Sequence, residues 1–117
     1  MSHFISLSDA IAMTERFRDN RDSVLDLEYR GQNILALSET FDRAAFDTLL
    51  DKTGCASLRI YYGMSVDLKI HAIVAAVNED NEDILPSTSS ITNDDEDIVD
   101  NANRCPELCP PSSPLNG

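Results

Sequence analysis

The run Ser57-Leu58-Arg59-Ile60-Tyr61-Tyr62, followed after residues 63–68 by Lys69-Ile70-His71-Ala72-Ile73-Val74-Ala75-Ala76-Val77, decides the fold. Leu58, Ile60 and Tyr62 alternate with Ser57, Arg59 and Tyr61, the period of two that gives a strand one apolar and one mixed face. The second run is β-branched and small, with His71 in its polar-compatible half. The pair predicts an antiparallel hairpin. Asn78 to Asn81 has high turn propensity, and Glu82 to Leu85 can add a short third strand.

Before the hairpin the pattern changes to helical spacing. Phe41, Ala45 and Leu49 with Ala44, Phe46 and Leu50 form a wide apolar face, Thr40 is placed to cap its start, and Gly54 stands where a C-cap glycine belongs. A second helix is predicted from Leu7 to Asn20, with Ser6 as N-cap and Asp9 at the third helical position. Leu7, Ala10, Ile11, Thr14 and Phe17 make its apolar stripe, opposite a solvated face of Glu15, Arg16, Arg18 and Asp19. Val24 to Leu37 alternates imperfectly around Gly31 and reads as an irregular link with one or two short strands. The expected class is α+β: two amphipathic helices packed on one face of a small antiparallel sheet, within a core of residues 1–85.

The 117 residues carry a net charge of -12, and that charge is uneven. Residues 1–78 hold eleven acids and eight bases, whereas residues 79–117 hold ten acids and a single base, Arg104. Four of the five prolines fall after Cys105. Residues 86–103, rich in Ser, Thr, Asn, Asp and Glu, bury too little apolar surface to offset the entropy of ordering them and read as an acidic flexible connector. Residues 104–117 form a Pro/Cys-rich tail, expected to run extended and to dock on the core through Leu108 and Leu115.

These features exclude several function classes. The chain is short enough for one domain, holds no apolar run near the ~18 residues of a membrane span, and lacks the clustered Lys and Arg that neutralise nucleic-acid phosphates. Residues 1–7 lack a basic stretch, and Asp9 and Glu15 interrupt any apolar leader, so the expected location is cytoplasmic and the expected state of the three cysteines is reduced.

Cys105 and Cys109 stand four apart, a spacing seen in zinc-ligand pairs, and thiolates are soft ligands that zinc prefers. A structural site needs four ligands, and the remaining candidates, Cys55, His71 and His3, form no second close pair. A thiol-redox pair and a conformational role are the other readings of these two cysteines. Cys55 invites a nucleophile hypothesis with His71 as base, but it follows a helix C-terminus, whose partial negative charge raises a thiol pKa. Asn78, Asp80 and Glu82 alternate, as do Asp95 and Asp97, yet neither run has the glycine and closing glutamate of a calcium loop. Arg59 and Tyr61, with Lys69, present a surface on the hairpin that an acidic group could meet. No phosphate-binding glycine loop and no nucleophile–histidine–carboxylate set is present in the sequence pattern.

The segments Glu39-Thr40-Phe41-Asp42-Arg43-Ala44-Ala45-Phe46-Asp47, Gly54-Cys55, Arg59-Ile60-Tyr61-Tyr62-Gly63-Met64, Arg104-Cys105-Pro106, Cys109-Pro110-Pro111 and Ser113-Pro114-Leu115-Asn116 together resemble a family of small uncharacterised bacterial proteins of the Bacteroidetes type. The likeness covers most of the chain outside the acidic connector. It departs from that pattern at Asn81, where a turn glycine is expected and where Asn tolerates the same left-handed backbone. It implies no activity and no catalytic residue. The functional expectation is a small soluble acidic protein that binds another protein, plausibly basic, without catalysis or a cofactor, with Arg59, Tyr61, Leu108 and Leu115 as contact residues. The alternative is a zinc-binding or thiol-redox protein using Cys105 and Cys109.

Overall fold

A computed structural model describes residues 3–85, 98–100 and 102–117. The elements in chain order are helix α1 (Leu7–Asn20), a 3-10 turn (Leu27–Tyr29), strand β1 (Ser38–Thr40), helix α2 (Arg43–Leu50), strands β2 (Ser57–Met64) and β3 (Ile70–Val77), and the short strands β4 (Ile98–Val99) and β5 (Asn103–Cys105). The fold is α+β, with two small antiparallel sheets rather than one. In the first, β1 pairs with β5; in the second, the order is β2-β3-β4.

The hairpin forms as its alternation predicts. Ser57 lies opposite Val77 and the register runs unbroken to Met64 opposite Ile70. Helix α1 also starts and ends at the expected residues, and the Asp9 amide donates to the Ser6 side-chain oxygen at 3.1 Å. Its packing differs from expectation, because no α1 residue is fully buried. Ala10, Ile11, Thr14 and Arg18 are its half-buried positions, while Leu7, Met13 and Phe17 are exposed. Arg18 ties this face to the C-terminal tail: its Nη1 donates to the Leu115 carbonyl at 2.8 Å.

Helix α2 is shorter than its apolar pattern suggests. Thr40 cannot cap it, because Thr40 belongs to β1 and pairs with Asn103; the cap position falls on Asp42. Gly54 is not the C-cap either. The helix closes at Asp51, and Gly54, at φ 80°, takes the left-handed position in the turn that leads into β2. Leu49 of α2 packs on Val74 and Ala76 of β3, all three fully buried, with Phe41, Phe46, Cys55, Leu58, Ile84 and Val99 around them. Phe41 and Phe46 meet at a ring-centroid distance of 5.5 Å.

Three further expectations change. The link from Val24 to Leu37 holds a 3-10 turn and no strand. It is tied instead by side-chain bonds to its backbone, such as Arg21 Nη1 to the Leu35 carbonyl at 3.1 Å and the Gly31 amide to Asp22 Oδ2 at 3.1 Å. Glu82 to Leu85 forms no strand; it gives the isolated bridge Val77–Asp83, flanked by bonds from the Ile84 amide to the Ala76 carbonyl and from the Asn78 amide to the Glu82 carbonyl. The third strand of the sheet is β4, drawn from the stretch read as connector. Asn103, in the same stretch, opens β5, and residues 86–97 and 101 lie outside the described residues. A short apolar pair such as Ile98-Val99 becomes a strand because β3 offers it an open ladder, which no local pattern announces.

Candidate functional site

Strand β3 is the organising element, and its hydrogen-bonding parity shows where the molecule is closed. The Ser65 amide donates to the Lys69 carbonyl, so the odd-numbered residues of β2 and β3 bond each other and the even-numbered ones point outward. Along the outer edge of β3, Ala76 accepts from the Ile84 amide and Val74 pairs with Val99 of β4. Beyond β4 the edge is completed by two side chains and by the Ile34 carbonyl, which accepts from the Ile70 amide at 2.8 Å. The Ala72 amide donates to Glu39 Oε2 at 3.0 Å, and Arg104 Nη2 donates to the Ile70 carbonyl at 2.9 Å and the Ile34 carbonyl at 3.3 Å.

Glu39 comes from β1 and Arg104 from β5, so this polar node joins the two sheets. Arg104 is 5% exposed. Its Nε lies 3.7 Å from Glu39 Oε1, and His71 Nδ1 lies 3.9 Å from the same oxygen. Neither Glu39 Oε1 nor Arg104 Nε makes a hydrogen bond, so the pair is held by charge and by the outer bonds of each partner. Cavities flank His71 on two sides. One of about 230 Å³ is lined by Phe17, Leu35, Glu39, Tyr62 and Ala72, and one of about 350 Å³ by Ser65, Ile73, Asp100, Arg104 and Glu107.

The sequence-derived candidates are placed differently. Arg59 and Tyr61 are engaged within the molecule: Arg59 Nη1 meets Asp83 Oδ1 at 2.6 Å and its Nη2 reaches the Asn81 carbonyl at 3.2 Å, while the Tyr61 hydroxyl donates to Asp83 Oδ2. The Tyr61 hydroxyl foremost, and then Arg59, hold the Asp83 carboxyl below the ordinary aspartate range. Asn81, at φ 66°, adopts the left-handed backbone that its place in the turn calls for.

Cys105 and Cys109 are joined in a disulfide, not separate reduced thiols as expected, with Cα atoms 4.5 Å apart. Cys105 is buried in β5 and Cys109 is exposed. Among the described residues no group of three or more His, Cys, Asp or Glu side chains is arranged to hold a metal ion. Leu108 and Leu115 do not anchor the tail, being 60% and 44% exposed. The tail is held by the β1–β5 ladder, by Lys69 Nζ to Glu107 Oε1 at 3.0 Å, and by Arg18 on Leu115. The tail is also not the extended path expected of it: it turns after Cys105, where the Leu108 amide donates to the Arg104 carbonyl at 2.7 Å, and again at Pro114–Asn116, where the Asn116 amide donates to the Ser113 carbonyl at 3.2 Å. Cys55 is half-buried beside the core, and the ladder sets His71 opposite Gly63, six positions from the Ser57 end next to Cys55. At strand rise that is roughly 20 Å, so the structure does not bring this nucleophile and base together.

Glu39 and Arg104 escape a sequence reading. Neither sits in a motif, and their meeting depends on the pairing of residues 38–40 with 103–105. The one available signal is that Arg104 is the single base in the acidic last third of the chain, beside the first cysteine of the tail.

The described residues contain no helix long and apolar enough to cross a membrane. No protein-family model, no curated protein and no solved structure matches this chain.

Proposed function

We propose that this chain acts as a non-catalytic binding protein that docks a basic partner protein through its N-terminal helix. The observation that carries the reading is the apolar residue set that folding leaves uncovered on and beside α1. Met13, Phe17 and Val24 line an open depression of about 520 Å³ with Arg16, Asn20 and Arg21. Contiguous exposed apolar surface of this kind marks interaction sites. The net charge of -12 steers a basic partner toward the chain at long range, while the depression itself carries Arg16 and Arg21 and no carboxylate, so the contact there is made by its apolar residues. Leu108 and Leu115 add exposed apolar surface on the tail.

A pull-down from native-host extract tests this, run at low and high salt with the wild-type chain and with Phe17→Asp. The expected result is a partner of basic composition that is lost in the variant and weakened by salt. Binding that is indifferent to Phe17→Asp sinks the α1 reading.

A second reading rests on the Cys105–Cys109 disulfide. Cys109 is the exposed sulfur, so an incoming thiolate attacks it, forms a mixed disulfide and releases Cys105 as the thiolate; a second thiol on the donor then frees Cys109, leaving the pair reduced and the donor oxidised. A reduced pair could also contribute two zinc ligands, with others supplied from outside the pair. Alkylation mapping across a glutathione redox series separates these roles from a static crosslink: a midpoint near the glutathione potential supports thiol exchange, and full resistance to glutathione argues against it. Elemental analysis of the reduced protein tests zinc.

A further inference from the structure

Strand β2 is the edge of the larger sheet, and among the described residues no strand pairs with its outer side. The parity established above makes that edge specific. Ser57, Arg59, Tyr61 and Gly63 spend their main-chain groups on β3, so the N–H and C=O groups of Leu58, Ile60, Tyr62 and Met64 point away from the sheet. The outer edge of β3 is treated in the opposite way, closed by Ile84, β4, Glu39 and Arg104. An eight-residue edge strand left open is a template for strand addition.

Its side chains say what can add. The face that carries Leu58 is covered by α2 only at that end, and beyond it Ile60, Tyr62 and Met64 are 54%, 81% and 62% exposed. Ser57–Met64 contains no carboxylate, and its one charge, Arg59, is met by Asp83 of the same chain. In a molecule of net charge -12 this edge is therefore a neutral window through which two copies can approach.

We infer that the chain self-associates by antiparallel pairing of β2 with β2 of a second copy, about a two-fold axis passing beside Tyr61. A two-fold normal to the sheet keeps like faces together, so paired residues must share parity. With Tyr61 opposite Tyr61 of the second copy, Leu58 pairs with Met64 and Ile60 with Tyr62, each twice. All four are the outward-pointing positions, so each pair exchanges two main-chain hydrogen bonds, and all four belong to the apolar face. Arg59 then faces Gly63, which has no side chain to obstruct it. A register shifted by two residues leaves Met64 or, in the other direction, Leu58 without a partner inside the strand, and a shift by one sets the apolar face of one copy against the mixed face of the other.

Sedimentation equilibrium of the full chain, at two salt concentrations, with amide hydrogen exchange on the same samples, tests the inference. Self-association should strengthen as salt rises, because salt screens repulsion between the acidic copies; docking of a basic partner on α1 should weaken. The amides of Leu58, Ile60, Tyr62 and Met64 should gain protection with protein concentration, while those of Arg59 and Tyr61 stay protected throughout. Tyr62→Lys should weaken the dimer by at least about tenfold, whereas Val66→Lys, an equally apolar loss outside the ladder, should leave it unchanged; circular dichroism shows whether each variant is folded. A wild-type chain that stays monomeric at millimolar concentration and high salt overturns the inference. So does a dimer whose β2 amides gain no protection, or a β2 edge protected only when a foreign peptide is added.

Discussion

Arg104 enters a junction between two sheets that a neutral side chain could not close in the same way. Its guanidinium supplies donors to two carbonyls, Ile70 and Ile34, while Glu39 takes the Ala72 amide. Removing one partner of a buried pair leaves the other charge uncompensated, so Arg104→Met and Glu39→Gln should each destabilise by about 3–5 kcal/mol. The double variant should cost less than the sum of the two. Urea denaturation of the four proteins checks this, and additivity would show that the two groups act independently. Asp83 makes a pH prediction. Its folded pKa is depressed by Tyr61 and then Arg59, so the stability it contributes is present above the ordinary aspartate range and is lost as pH falls through the lowered folded value. Asp83→Asn should therefore flatten the acid limb of a melting-temperature profile and leave its neutral region parallel to wild type.

At the scale of elements, α1 and the hairpin illustrate two ways of being legible. The cap at Ser6 and the alternation from Ser57 to Tyr62 are local signals, satisfied by neighbours in sequence, and both elements form where those signals place them. Helix α1 nevertheless buries no residue fully, so its own cap should matter more to it than packing does. Ser6→Ala removes a bond of the kind worth about 1 kcal/mol, and it should fray the first turn of α1 in amide exchange without moving the denaturation midpoint of the core. Helix α2 behaves in the opposite way. Leu49 is fully buried against Val74 and Ala76, and Leu49→Ala should lower global stability by roughly 2–5 kcal/mol in chemical denaturation. The short strands were illegible for a shared reason. Ser38–Thr40, Ile98–Val99 and Asn103–Cys105 are two or three residues long, and runs of that length carry no periodicity of their own.

For the whole molecule, the acidic charge and the tail change meaning. The tail does more than lie across a finished domain: β5 supplies a strand and the buried arginine that joins the sheets. The disulfide that follows closes a loop of only five residues, from Cys105 to Cys109, so loop-closure entropy assigns it a modest effect, roughly 2 kcal/mol. Reduction should lower the unfolding free energy by about that amount in chemical denaturation and leave the β2–β3 hairpin intact, as followed by hydrogen exchange. The order of residues carried the class of the fold, the hairpin and the existence of both helices, because strand alternation, helical spacing and the Ser6 cap are satisfied within a few residues, whereas the ends of α2 were set by β1 and by the turn after Asp51. It could not carry the Glu39–Arg104 node, the engagement of Arg59 and Tyr61 with Asp83, or the contrast between a closed β3 edge and a β2 edge that no strand pairs among the described residues. Those depend on which distant backbone groups meet. Burial and hydrogen-bond closure are properties of a juxtaposition, and only the tertiary structure brings residues 38–40, 70–72, 98–99 and 103–105 into one.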